Sequence, residues 1–292
     1  MPTKRETFMP TLRAQYLGQR MRKWREDRDM TLKYAAAYVG VEFSTLARYE
    51  RAEWPFRRDH IIALLDMYGV ADEAEREELL ALAKSAWRMH QWSYPDGSTN
   101  ELHTAGADHP WVERQAEEVH VYGGMLVPDL LHNQDYAAAI IESYTPRANA
   151  RVFDQHLKAH MARQERLHDR PPVRVNALIE EAALSRPVGS RLVLRAQLEH
   201  LVHLPDKLPH VEIRVLPTGL GMHPGVHGAF TVYQMPRPYP EVAFAEHLGG
   251  QLLMESGLAE RHVQAHKQLW EQTALGPRES VELIDKLAEQ AG

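Results

Sequence analysis

The sequence predicts an α+β protein with two domains: an all-α head of five helices, and a body in which a small, mainly antiparallel sheet is flanked by helices. Apolar residues recur at helical spacing through residues 1–91. Residues 92–110 lose that periodicity and are rich in Gly, Ser, Thr, Asp and Pro, as linkers are. After residue 171, short stretches alternate apolar and polar residues as strands do. We therefore predict a head at 1–91, a linker at 92–110 and a body at 111–292, which fits a length of 292 residues.

The head begins with a predicted helix that carries Leu17, Met21 and Trp24 on one face. The next segment, residues 31–51, reads TLKYAAAYVGVEFSTLARYER and predicts two short helices joined at Gly40, because glycine tolerates a positive φ. This is the pattern of a helix-turn-helix.

The remaining helices of the head cover the apolar underside of this motif. Ile61, Leu65 and Tyr68 recur at helical spacing, and the run DEAEREELLALAKSAW supplies a fifth helix. Thr31 is the predicted N-cap of the second helix and Asp59 a predicted cap of the fourth.

The second helix of the motif is predicted to bury Leu46 and Tyr49 and to expose the opposite face, with hydroxyl groups and a guanidinium that can enter a major groove. An alternative for Phe43 is packing against the fourth helix. Glu50 is expected to form a salt bridge within the domain. The candidate DNA-contacting residues are Phe43, Ser44, Thr45, Arg48, Lys33, Arg51 and Arg20.

The formal net charge of −6 argues against nucleic acid, but the charge is unevenly distributed. Residues 1–70 hold 13 Lys and Arg against 9 Asp and Glu, whereas the remaining residues hold 21 against 31. A basic head on an acidic body lets cations of the head meet phosphates while the body stays away from DNA. The cations expected there are Arg20, Arg22, Lys23, Arg25 and Arg48, although the run in the first helix is equally well explained as an ordinary solvated face.

The body is predicted as helices, then strands, then helices. Three helical blocks come first: 111–122, 128–144 and 149–168. Alternation then predicts strands at 172–179, 211–217, 229–235 and 241–247, with a weaker one at 250–256. Further helices are predicted at 190–204, 258–273 and 277–290.

Catalytic and metal chemistry have little support in the body. Three HxxxH spacings occur among seventeen histidines, but about one is expected by chance and none carries the Glu of the metalloprotease motif. Nucleophile-elbow, phosphate-loop and dinucleotide motifs are absent, so we expect no enzyme, no metal and no cofactor. The Gly-rich loop TGLGMHPGVHG and the turn RPVG suggest a ligand or partner surface with His223, His227 and Arg186, although a plain strand connection explains the loop at least as well.

The compartment is predicted as cytoplasmic, on the nucleoid. The sequence has no Cys, which suits a reducing environment. Its start, MPTKRETFMP, lacks the apolar core of a signal peptide, and no run of about 18 apolar residues predicts a membrane span.

The head resembles the lambda-repressor and Cro type of helix-turn-helix, also called the xenobiotic-response-element type, through TLKYAAAYVGVEFSTLARYERA. The body resembles the C-terminal domain of actinobacterial regulators described as Scr-type antitoxin-like transcriptional regulators. That likeness rests on VYGGMLVPDLLHNQDYAAAI, ALIEEAALSRPVGS, VEIRVLPTGLGMHPGVHGAFTVY and SVELIDKLAE. Together the two resemblances cover roughly residues 14–290.

The resemblance implies a transcriptional regulator that binds double-stranded DNA as a homodimer. It implies that the body forms the dimer and receives a signal, which is expected to be a small protein encoded nearby. The head departs from its family pattern at Leu32, where a phosphate-binding Gln is usual, and at Glu42 and Phe43, where small polar or basic residues are usual. These departures leave an alternative open: a protein-interaction module whose head no longer binds DNA. A third reading, an enzyme tethered to DNA by its head, has the least support.

Overall fold

The computed structural model describes residues 11–85, 105–145, 149–237, 239–247 and 250–291. The chain divides into two compact units, Met1–Gln91 and Trp92–Gly292. The first unit is all helical, and the five predicted helices are confirmed. They are α1 Leu12–Glu26, α2 Leu32–Tyr38, α3 Phe43–Glu50, α4 Arg58–Met67 and α5 Glu73–Ser85.

The core of the head is formed where the apolar stripes of these helices meet. Leu17 and Met21 of α1, Leu46 of α3, and Ile61 and Leu65 of α4 are all at most 1 % exposed. Each stripe repeats at the helical period, so burying it against the others removes a continuous apolar surface from water. The predicted core residues Leu17, Met21, Leu46, Tyr49, Ile61, Leu65 and Tyr68 are thus confirmed, whereas Trp24 packs against this core only partly buried.

Helix α1 crosses α3 closely because Gly18 has no side chain. A Cβ at Gly18 would lie 2.6 Å from the carbonyl oxygen of Glu50 and 2.8 Å from that of Tyr49. Both obstacles are backbone atoms, which cannot rotate away. The glycine therefore fixes the separation of α1 and the end of α3.

The two predicted caps have different outcomes. The Thr31 hydroxyl accepts a hydrogen bond from the backbone N–H of Tyr34 at 3.2 Å, so the cap of α2 is confirmed. The prediction for α4 is wrong, because its N-cap is Arg57 and Asp59 lies inside the first turn. The Asp59 carboxylate is instead held by the Arg57 guanidinium at 2.6 Å.

The body contains one six-stranded mixed sheet with helices packed on it, so the α+β prediction is confirmed. The strands are β1 Glu118–Gly123, β2 Arg174–Glu180, β3 Val211–Leu216, β4 Phe230–Gln234, β5 Val242–His247 and β6 Gly250–Glu255. Their order is β3-β2-β1-β4-β5-β6. The pairs β1·β2 and β2·β3 are parallel, and β1·β4, β4·β5 and β5·β6 are antiparallel. The helices are α6 Ala105–Gln115, α7 Gln134–Tyr144, α8 Ala150–Arg163, α9 Glu181–Ser185, α10 Arg191–Lys207, α11 Glu260–Gln272 and α12 Pro277–Gln290.

Strand β1 corrects the predicted helix at 111–122, because α6 ends at Gln115 and the chain then becomes extended. No Gly or Pro separates the two elements, so helical spacing seemed to continue. In the structure β1 lies at the centre of the sheet, with Val119 opposite Val175 of β2 and Tyr233 of β4. Hydrogen bonds to strands on both sides override the local helical pattern.

The predicted block at 128–144 also divides. A 3-10 turn at Asp129–Leu131 comes first, and α7 then starts from Asn133, whose side chain accepts the N–H of Tyr136 at 2.8 Å. Most of the predicted linker, residues 92–104, lies outside the described residues, and residues 105–110 belong to α6. In the described part of the chain no helix is long and apolar enough to cross a membrane.

Candidate nucleic-acid interface

Helices α2 and α3 form the predicted helix-turn-helix. Gly40 has a φ of +69°, which glycine adopts more readily than residues with a side chain, and the N–H of Val41 donates to the carbonyl of Ala36 at 3.0 Å. Leu46 is fully buried and Tyr49 is 6 % exposed. The turn and the buried face of α3 agree with the pattern read from the sequence.

The opposite face of α3 is open to solvent. Phe43 is 59 % exposed, so it does not pack against α4 as the alternative supposed. Ser44 and Arg48 are exposed, and Thr45 is half-buried. Glu42, the N-cap residue, makes no side-chain hydrogen bond to the start of α3. This face offers two hydroxyl groups, an aromatic ring and a guanidinium, the groups that contact base edges and phosphates in a major groove.

Arg48 keeps its charge available within this surface. Its guanidinium carbon lies 4.6 Å from the ring centroid of Trp54, a cation–π contact. Among the described residues no carboxylate forms an ion pair with Arg48, nor with the exposed Lys33 on α2. Both are therefore candidates to neutralise phosphates or to bind a guanine.

Arg51 and Arg20, by contrast, are neutralised inside the head. Arg51 binds the Glu53 carboxylate at 2.7 Å on the surface, and the pKa of Glu53 falls below its ordinary value because of the hydrogen bond from Arg51. Arg20 of α1 pairs with Glu75 of α5, which also accepts the indole N–H of Trp24 at 3.0 Å. Their charges serve contacts within the domain.

Arg25 corrects the expectation that it meets phosphates. It is 8 % exposed, and its guanidinium donates to both oxygens of Glu50 at 2.7 and 2.8 Å and to the carbonyl of Met30 at 2.9 Å. The hydrogen bond with Glu50 raises the pKa of Arg25 above its ordinary value. The salt bridge expected for Glu50 is thus confirmed. Because its partner Arg25 belongs to α1, the pair anchors the end of α3 to α1.

The three residues suggested as a ligand or partner surface have separate contacts. The Nε2 atom of His223 lies 3.2 Å from the Glu180 carboxylate, while its Nδ1 accepts the N–H of Gly225 at 3.2 Å. His227 is exposed at the end of a short 3-10 turn. The Nη2 atom of Arg186 lies 3.9 Å from the sulfur of Met125. Among the described residues no hydrogen bond or ion pair joins the three.

Glu180 has a second partner at the carboxyl end of the parallel strands. The Tyr122 hydroxyl donates to it at 2.9 Å, and burial together with this hydrogen bond raises the pKa of Tyr122. A Cβ at Gly225 would lie 2.4 Å from the Tyr122 ring, so the glycine lets the loop lie flat on the ring. These contacts fasten the Gly-rich loop to β1 and β2.

Histidines of two of the HxxxH pairs contact other side chains. The Nε2 atom of His160 lies 3.1 Å from the Nδ1 atom of His132, and His266 is buried between His120 and Trp270. Burial lowers the pKa of His132 to about 4 and that of His266 to about 3. Within the described part of the chain no group of three or more potential ligands is placed to hold a metal ion.

Sequence reasoning missed the exposed aromatic residues around the motif. Tyr34 and Tyr38 of α2 are 61 % and 55 % exposed, and Trp54 is 44 % exposed. The two tyrosines are four residues apart, and Ala35 and Ala36 between them are buried, so the helical period was a signal for their exposure. Trp54 follows the end of α3, where no period applies.

The comparisons with known proteins agree with this architecture. A model described as Helix-turn-helix domain matches residues 16–79, which supports the likeness of the head to the Cro and lambda-repressor type. A model described as Domain of unknown function (DUF5753) matches residues 107–286, more than half of the chain. No curated protein matches the chain. The chain therefore belongs to the DUF5753 family and carries a helix-turn-helix domain in front of that family's domain.

Proposed function

We propose that this protein is a sequence-specific transcriptional regulator that binds double-stranded DNA through the exposed face of α3. The observation that carries the proposal is the unpaired guanidinium of Arg48 on a helix whose other face is buried and whose end is anchored by Arg25 and Glu50. A rigid helix with its polar face outward is the element that enters a major groove in this class of motif. Such a regulator acts in the cytoplasm, on the nucleoid.

We further propose that the working form is a homodimer assembled through the body. Among the described residues of α2 and α3, Lys33 and Arg48 are the cations without a carboxylate partner, and each phosphate neutralised contributes a salt slope of only about −0.9. Two heads double these contacts and read half-sites about one helical turn, roughly 34 Å, apart. In this proposal the body receives the signal. The resemblance to Scr-type antitoxin-like regulators implies that the signal is a small protein encoded nearby. We propose no catalytic activity.

Selection of duplexes from a random pool, followed by mobility-shift titration, tests DNA binding. The expected result is an enriched motif with two half-sites, bound by a species of dimer mass in light scattering. Replacement of Arg48 by Ala should weaken binding without lowering the melting temperature. The matched control is Arg195, an exposed arginine of α10 that pairs with Glu199. Its replacement by Ala should leave DNA binding unchanged.

The alternative, an interaction module with a degenerate head, predicts no enrichment and no shift at low salt. The exposed Phe43 and the acidic Glu42 at the start of α3 are its basis. A confirmed dimer that binds no duplex would replace our proposal with this one. Co-expression with the neighbouring small protein separately tests the partner: a stable complex that changes DNA affinity is expected, and an unchanged elution profile contradicts it.

A further inference from the structure

The end of α3 brings Trp54 back over the exposed face of the helix. Ala52 has a φ of +55°, and the N–H groups of Ala52 and Glu53 bond to the carbonyls of Tyr49 and Arg48 at 3.0 and 2.8 Å. This is the double hydrogen bond of a Schellman motif, which reverses the chain at a helix end. The reversal places the Trp54 ring against the guanidinium of Arg48.

A stacked guanidinium differs from a free one in what it offers DNA. An arginine side chain in solvent has many rotamers, and binding to a base must overcome the entropy lost when one of them is selected. Stacking on an indole restricts the side chain while using only the flat face of the guanidinium, so its in-plane N–H groups stay available. Two of these groups match the O6 and N7 acceptors of guanine.

The neighbouring arginine shows the contrast. Arg51 has its in-plane N–H groups occupied by both oxygens of Glu53, at 2.7 and 3.1 Å. Arg48, three residues earlier, has an aromatic face in place of a carboxylate. The guanidinium of Arg48 is therefore oriented with its hydrogen-bonding edge free, whereas the guanidinium of Arg51 is neutralised by Glu53.

We propose that Trp54 is a positioning residue that orients Arg48 for recognition of a guanine in the DNA site. This inference rests on the proposed function and deepens it, because it names the base and the residue that sets the discrimination. Trp54 acts through Arg48 and does not itself contact the duplex. A direct contact of the 44 % exposed ring with DNA is the competing explanation.

A double-mutant cycle separates the two. Affinities of the wild type, Arg48→Ala, Trp54→Ala and the double variant are measured on the selected duplex. The same duplex is then tested with each guanine in turn replaced by 7-deazaguanine, which lacks the N7 acceptor. Trp54→Phe tests retention of the stack, and Tyr144→Ala, which removes an exposed aromatic ring of the body, is the matched control.

The expected result is a loss of about three- to fivefold in affinity for Trp54→Ala, the size of an exposed cation–π contact. The loss should vanish in the Arg48→Ala background. Arg48→Ala should become insensitive to 7-deazaguanine at one position, and Trp54→Ala should become less sensitive at the same position. Trp54→Phe should restore most of the sensitivity, and Tyr144→Ala should behave as the wild type.

Three other results overturn the inference. Equal losses for Trp54→Ala in both backgrounds mean that the ring contacts DNA directly. A uniform loss on every duplex, with the 7-deazaguanine effect unchanged, means that Trp54 only supports the fold, which a matching fall in melting temperature would show. A wild type that binds no duplex at all removes the proposed function itself, a result distinct from the other two.

Discussion

Replacing Glu50 by Gln should strongly destabilise the head, because it leaves the buried Arg25 guanidinium with only the half-exposed Glu26 carboxylate, at 3.4 Å, as counter-charge. Glutamine keeps the volume of the side chain, so packing is preserved and the change isolates the charge. Arg25 is 8 % exposed and the Glu50 side chain 5 % exposed, so solvent cannot replace the lost carboxylate. Removing one partner of a buried ion pair costs about 3–5 kcal/mol.

For a domain of this size that loss corresponds to a fall of about 15–30 °C in the melting temperature of the head. The assay is thermal unfolding of the full chain, with hydrogen exchange of the α1 and α3 amides to assign the transition. Asp59→Asn is the control, because Asp59 is 60 % exposed where it pairs with Arg57, and surface pairs contribute about 0–1 kcal/mol. If both variants had the same melting temperature, the buried pair would not anchor α3 and our account of the interface would be wrong.

Three further predictions follow from the same structure. Gly18→Ala should lower stability by about 1–3 kcal/mol in thermal unfolding, since its Cβ meets backbone oxygens at 2.6 and 2.8 Å; a gain of helix stability would refute the close crossing. Glu53→Gln should strengthen DNA binding and steepen the salt slope by roughly 0.9, because it releases Arg51; an unchanged slope would place Arg51 away from the duplex. His109 and His132 are buried with pKa values lowered to about 4, so they stay neutral in the folded body and bind protons on unfolding. Stability should therefore fall as pH drops from 6.5 towards 4, by about 2 kcal/mol per histidine at pH 5; chemical denaturation checks this, and a flat profile that His132→Gln leaves unaltered would contradict it.

The sequence predicted well those features that depend on residues close together in the chain. The period of α3 was enough to separate Leu46 and Tyr49 from Arg48, and Gly40 marked the turn because few other residues accept its φ. Strand β2 was recognisable from its alternation and the prolines before it. Each of these signals lies within a few residues of the feature it predicts.

Features that depend on distant residues were not predictable in the same way. Glu50 was expected to pair, but its partner Arg25 lies 25 residues away and was assigned to phosphates instead. Strand β1 was read as a helix because its strand character comes from partners in β2 and β4, more than 50 residues later. In both cases the decisive contact is tertiary, and the local pattern supports a different answer.

The pairing of charges within the head changes how its basic character should be understood. Of the cations expected near DNA, Arg20, Arg25 and Arg51 bind carboxylates of the same domain, so the excess of positive charge over residues 1–70 overstates what the duplex meets. What remains on the α2 and α3 surface is Lys33 and the stacked Arg48. A helix-turn-helix surface with two such cations gains little affinity from phosphates alone. If the proposed function holds, binding depends on contacts with base edges and on the joint action of two heads, so that sequence discrimination and dimerisation are parts of the same requirement.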